Sequence, residues 1–178
     1  MPVLWALLAP LRSGIAGIRA GRIVEGMEVL KSGLTIWNGS GGRVDSPYLK
    51  SVLAEGMALT GDLDDALLLI DEQIEQSERP GGERARYAEI LRLKGWMLSL
   101  KGDLQGAEQN YFASLDWAHQ QQAKSWELRT STSLARLWQS QGKRKQARDL
   151  LAPIYAWFTE GFDTKDLKDA KLLLEQLA

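Results

Sequence analysis

A glycine followed by a polar residue recurs at Gly21-Arg22, Gly61-Asp62, Gly102-Asp103 and Gly142-Lys143, spaced by 40, 41 and 40 residues. A fixed period of this size constrains the fold more than any other feature of the chain, because it marks units that each need a neighbour to cover their apolar face. Seven residues before each glycine stands a small residue (Gly14, Ala54, Gly95, Ala135), and five after it another (Gly26, Ala66, Ala107, Ala147). Two helices joined by a short turn approach closely only where side chains are small, so these positions read as the contact within a helical hairpin. Further on come Leu30 and Leu34, Ile70 and Ile74, Tyr111 and Leu115, Leu151 and Tyr155, each pair four residues apart and therefore on one helix face. The glycine permits the tight turn, and Asp62 and Asp103 are placed to cap the helix that follows.

These residues resemble the tetratricopeptide repeat (TPR), whose pattern runs small residue, Gly-Asp, aliphatic or aromatic, then Ala. The stretches Tyr48 to Glu78 and Ala88 to Ala118 fit best. The family unit is about 34 residues, so a period near 40 puts extra residues in the connections, where Gly39-Ser40-Gly41-Gly42 and Arg79-Pro80-Gly81-Gly82 stand. The first unit departs most, with Gly17, Gly26 and Gly33 at positions where alanine or bulkier residues are usual. A narrower resemblance is carried by Ala88 to Gly95, Ala107-Glu108, Trp126 to Arg129, Ser133 to Leu137 and Trp157 to Thr164. This set is similar to the C-terminal TPR region of bacterial signalling proteins in which a class III cyclase or DNA-binding activator domain and an ATPase precede the repeats. That resemblance implies a bacterial, cytoplasmic interaction or regulatory tail, with none of the cyclase or ATPase residues present in this chain.

The expected fold is all-α, an α-α superhelix of the TPR-like solenoid kind with about four helical hairpins and a C-terminal capping helix. Repeats occupy residues 1–160, in units near 3–37, 46–78, 84–122 and 125–158, and the cap occupies residues 163–178. Helices are expected from about Val3 to Ala20, Ile23 to Ile36, Ser46 to Thr60, Leu63 to Ser77, Glu83 to Lys101, Leu104 to Gln122, Ser125 to Gln141 and Arg144 to Phe158. Ser46, Asp62 and Ser125 stand at caps, and Pro10 and Pro153 at kinks or late starts. The run Leu67 to Ile70 suggests a helix buried on two sides. The last helix, to Leu177, sets Leu167, Ala170, Leu173, Leu174 and Leu177 against Lys165, Lys168, Asp169, Lys171 and Glu175, the polar backing a terminal repeat needs. The first unit has no such backing, which points to a neighbouring domain or subunit over that end.

With 22 basic and 23 acidic residues the net charge is -1, so no overall field favours nucleic acid or an anionic membrane. There is no cysteine, which removes disulfide and thiolate chemistry. The apolar opening Met1 to Pro10 is too short to span a bilayer. His119 is the only histidine, with no second ligand at helical spacing for a metal and no orienting group for catalysis. The glycine-rich Gly39 to Asp45 lacks the Gly-Lys-Ser/Thr ending of a phosphate loop and reads as a connector. Lys143-Arg144-Lys145 with Arg148 opens a helix and reads as an exposed turn. No cofactor and no metal is expected, and no enzymatic activity.

By analogy with the repeat family, the first helix of each hairpin lines an inner groove, bringing Tyr48, Ser51, Glu55, Glu89, Arg92, Trp96, Arg129, Thr132, Arg136 and Gln139 to a protein or peptide partner. Arginines beside an aromatic anchor suit an acidic tail. The competing reading is that Arg92 and Arg129 pair with Glu55, Glu89 or Glu127 and hold the stack in register. Of seven tryptophans, Trp117, Trp126 and Trp138 read as packing between repeats, while Trp5, Trp37 and Trp157 have no evident place. The chain thus reads as a non-catalytic interaction scaffold. A small-ligand sensor or a homodimerisation element, the latter pairing through the first unit, is the alternative.

Overall fold

A computed structural model describes residues 2–41 and 46–178, with side chains from residue 7 onward. Among these residues the elements are nine helices and no strand: α1 Pro2–Arg19, α2 Ile23–Gly39, α3 Ser46–Thr60, α4 Leu63–Glu78, α5 Tyr87–Lys101, α6 Leu104–Gln120, α7 Lys124–Ser140, α8 Arg144–Ala156 and α9 Lys165–Gln176. Part of the Gly39 to Asp45 connector lies outside the described residues, as does the side chain of Trp5. The chain forms two compact units, Met1–Leu93 and Lys94–Ala178, and the boundary falls inside α5.

In the first unit α1 packs on α2, α2 on α3, and α3 on α4. Its core gathers Leu11, Ile18, Leu30, Leu34, Tyr48, Leu49 and Val52. The glycines that depart from the repeat pattern account for the α1–α2 contact. A Cβ at Gly26 would stand 2.5 Å from the Ile18 backbone nitrogen and 2.9 Å from the Gly14 carbonyl oxygen. Alanine is therefore too large where the backbones meet. The fourth helix corrects an expectation: Ala66, Ile70, Gln73 and Ser77 make one buried stripe, while Leu68 is 66% exposed. Gln73 replaces Ile74 on that stripe and donates from Nε2 to the Leu69 carbonyl.

Helix α5 starts at Tyr87 rather than Glu83 because Arg84 serves the preceding helix instead. Its Nε and Nη2 donate to the carbonyls of Ser77 (2.8 Å) and Glu78 (2.9 Å). These are carbonyls that a helix end leaves without an internal partner. The Tyr87 hydroxyl donates to Glu78 Oε1 at 2.6 Å. Burial first, then this bond, pushes the phenol well above its ordinary range.

In the second unit α6 packs on α7, α7 on α8, and α9 on both α7 and α8. Tyr111, Leu115, Leu128, Leu134, Leu151, Leu167 and Leu173 are among its buried core. The turns before α2, α4, α6 and α8 hold Gly21, Gly61, Gly102 and Gly142 at positive φ, the conformation glycine adopts without Cβ strain. Asp103 caps α6 by accepting from Gly106 N–H at 2.9 Å, whereas Asp62 makes no side-chain cap bond to α4. The residue at the cap of α7 is Ala123, so Ser125 lies inside the first turn. Pro10 and Pro153 sit within α1 and α8.

Candidate partner-binding faces

The residues expected to face a partner fall into one group in each unit. In the first, Glu89 is buried on α5 and accepts from Arg92, one turn on, through Nε (2.7 Å) and Nη2 (3.0 Å). The i to i+3 spacing puts both on one helix face, and the paired bonds are the geometry in which a guanidinium grips a carboxylate best. Arg19, at the end of α1, reaches the same carboxylate at 3.7 Å and donates to the Tyr48 hydroxyl at 3.0 Å. The Arg86 guanidinium lies 4.6 Å from the centre of the Tyr48 ring. Tyr48 and Glu89 are thus buried supports for arginines, and Glu55 is half-buried on α3.

In the second unit Trp96 and Gln139 are half-buried and Arg136 is exposed. On helix α7 the half-buried Trp126, Arg129 and Ser133 and the exposed Arg136 follow at steps of three and four residues that keep them on one face. Arg129 lies 4.9 Å from the Trp126 ring centre, and its Nε donates to Asp166 Oδ2 at 2.6 Å. Arg136 stands 3.9 Å from Asp169, whose Oδ2 also takes a 2.7 Å bond from Lys165. Of the register pairs considered from sequence, Arg92 with Glu89 is present. Arg129 instead joins Asp166 of the terminal helix.

Glu127 is absent from these pairs because two neighbours hold it. His119 Nε2 stands 2.9 Å from one carboxylate oxygen and Lys124 Nζ 2.7 Å from the other. Burial works to raise this carboxyl, but the bonds from Lys124 and His119 outweigh it, and its pKa falls below the usual 4.5. The missed orienter of His119 is therefore Glu127. The sequence signal was the short α6–α7 connection, which brings the last turn of one helix beside the first turn of the next.

Trp138 is buried, donates from Nε1 to Glu108 Oε1 at 2.9 Å and meets Phe112 at 6.1 Å between ring centres. Trp117 and Trp126 are only half-buried, and Trp157 is exposed with Lys124 5.8 Å from its ring centre. In the basic turn, Arg144 donates from Nη2 to the Gln176 carbonyl at the end of α9. A cation there complements the negative end of the helix dipole. Among the described residues no group of three or more His, Cys, Asp or Glu side chains could hold a metal, and no helix is long and apolar enough to cross a membrane.

The arrangement is that of a TPR-like repeat fold. Two crystal structures of a Podosopora anserina protein, described as a kinesin light chain with nearly identical TPR-like repeats, match 97% of this chain. One, a point variant, has TM-score 0.67 and 16% identity over 84% of its own chain. The other has TM-score 0.62 and 17% identity over 85%. No protein-family model matches the chain, and no curated protein matches it.

Proposed function

We propose that the chain is a non-catalytic protein-interaction scaffold that receives an acidic segment of a partner protein on α7. The observation that carries this reading is the α7 row of half-buried Trp126 and Arg129 and exposed Arg136, a partly accessible aromatic ring followed by two guanidiniums at helical spacing. Trp96 and Gln139 are assigned to the same partner in the second unit. In the first unit the reading gives contact to Glu55 and Arg92, with Tyr48 and Glu89 fixing the guanidiniums. Helical repeats of this class offer extended surfaces rather than closed reaction chambers, which supports a binding role over a catalytic one.

The similarity of Ala88 to Thr164 to bacterial cyclase and activator tails supports placing the module in a cytoplasmic signalling system of a bacterium. The balanced charge supports a protein partner over nucleic acid or membrane. Self-association through the first hairpin is a further assignment, read from the solution mass across a concentration series.

The test is fluorescence anisotropy with labelled acidic, neutral and basic peptides of equal length. Binding of the acidic peptide alone, lost in Arg129→Ala/Arg136→Ala with helicity retained, supports the reading. Equal binding by the variant rejects it.

A further inference from the structure

We propose that Asp166 and Asp169 of α9 are built-in competitors for the acidic partner, occupying the α7 arginines and setting how strongly a partner must bind. The inference rests on the reading of α7 as a partner-binding face. It starts from the way α9 is sorted. Leu167, Ala170, Leu173 and Leu177 are buried, so the helix stays docked whether or not a partner is present. Two of its lysines are exposed, the side chains of Lys165 and Lys171 by 77% and 64%, and both pair within the helix, Lys165 with Asp169 at 2.7 Å and Lys171 with Glu175 at 4.0 Å. The two aspartates lie on the α7 flank, half-buried, beside the two arginines that are themselves two turns apart on α7.

The two pairs differ in a way that matters for competition. Asp166 holds Arg129 closely, at 2.6 Å. Asp169 is drawn to Lys165 at 2.7 Å and stands 3.9 Å from Arg136, whose side chain is half exposed. An incoming carboxylate therefore meets Arg136 first, and then displaces Asp166 from Arg129 while α9 stays in place. Because the apolar face fixes α9, its carboxylates act at a high effective concentration without any cost of bringing them in. Neutralising them should expose both guanidiniums to the partner with the fold unchanged.

The experiment compares wild type, Asp166→Asn/Asp169→Asn and Arg129→Ala/Arg136→Ala, each titrated into a fluorescein-labelled glutamate-rich peptide. Relief of two partly exposed pairs is expected to tighten binding by the asparagine variant about five- to tenfold, with the gain shrinking at high salt. If wild type binds, the alanine variant does not, and the asparagine variant is no tighter, the competitor role falls and the α7 face stands. If neither wild type nor the asparagine variant binds, or the alanine variant binds equally, both fall. Should the asparagine variant melt early, the Arg129 Nε–H NMR signal of wild type gives a second reading. Asp166 holds that proton, and the signal must shift on peptide addition if the carboxylates exchange; an unmoved signal under saturating peptide overturns the proposal.

Discussion

His119 and Glu127 meet across the turn between α6 and α7, with Nε2 and Oε1 2.9 Å apart, and Lys124 holds the other oxygen of the same buried carboxylate. The folded state thus favours the ionised form. A carboxyl whose pKa is lower folded than unfolded adds stability above its unfolded value and loses it as pH falls through the folded one. Glu127→Gln should therefore cost about 1 kcal/mol at neutral pH. The gap from wild type should close as pH drops from 4.5, followed by urea unfolding at a series of pH values. A gap independent of pH would mean that the carboxylate's charge is irrelevant.

The α1–α2 contact predicts opposite signs for two glycine substitutions in one helix. Gly26→Ala drives a methyl group against the Ile18 backbone at 2.5 Å, and overpacking of this kind costs roughly 1–3 kcal/mol. Gly39→Ala, with nothing within 4 Å of the new carbon, should be neutral or add up to about 1 kcal/mol of helix propensity. Thermal melts of both variants decide the point.

Capping should separate two aspartates that look alike in sequence. Asp103→Ala removes the bond to Gly106 N–H and is expected to cost about 1 kcal/mol. Asp62→Ala removes no such bond and should shift the urea midpoint by less than half as much.

Gln122 is the only non-glycine residue at positive φ among those described, at 53°. The left-handed region costs an L residue roughly 1 kcal/mol, so Gln122→Gly should stabilise the chain, net of its entropy cost, by about 0.5 kcal/mol. A lower melting temperature in that variant would mean that its side chain holds the turn.

The turns and the hairpin contacts were legible because each depends on a local necessity: Gly102 must reach positive φ, and Gly26 must leave room for a backbone. The bounds of α5 were not, since the carbonyls that Arg84 caps belong to another helix and leave no trace in periodicity. Leu68 misled for a related reason, as four apolar residues in a row cannot all share one buried stripe. On α5, Arg92 and Glu89 stand one turn apart and could be paired by spacing. Arg129 and Asp166 lie 37 residues apart, and only the docking of α9 brings them together.

Arg84 also bears on how quickly the chain finds its fold. The connector after α4 is longer than a compact repeat needs, and a longer link ordinarily widens the search for the next helix. Yet the two bonds of Arg84 span only six and seven residues, so they can form before any distant contact exists. They shorten the effective link and keep the contact order low. The added residues then lengthen the repeat at little extra loop-closure cost.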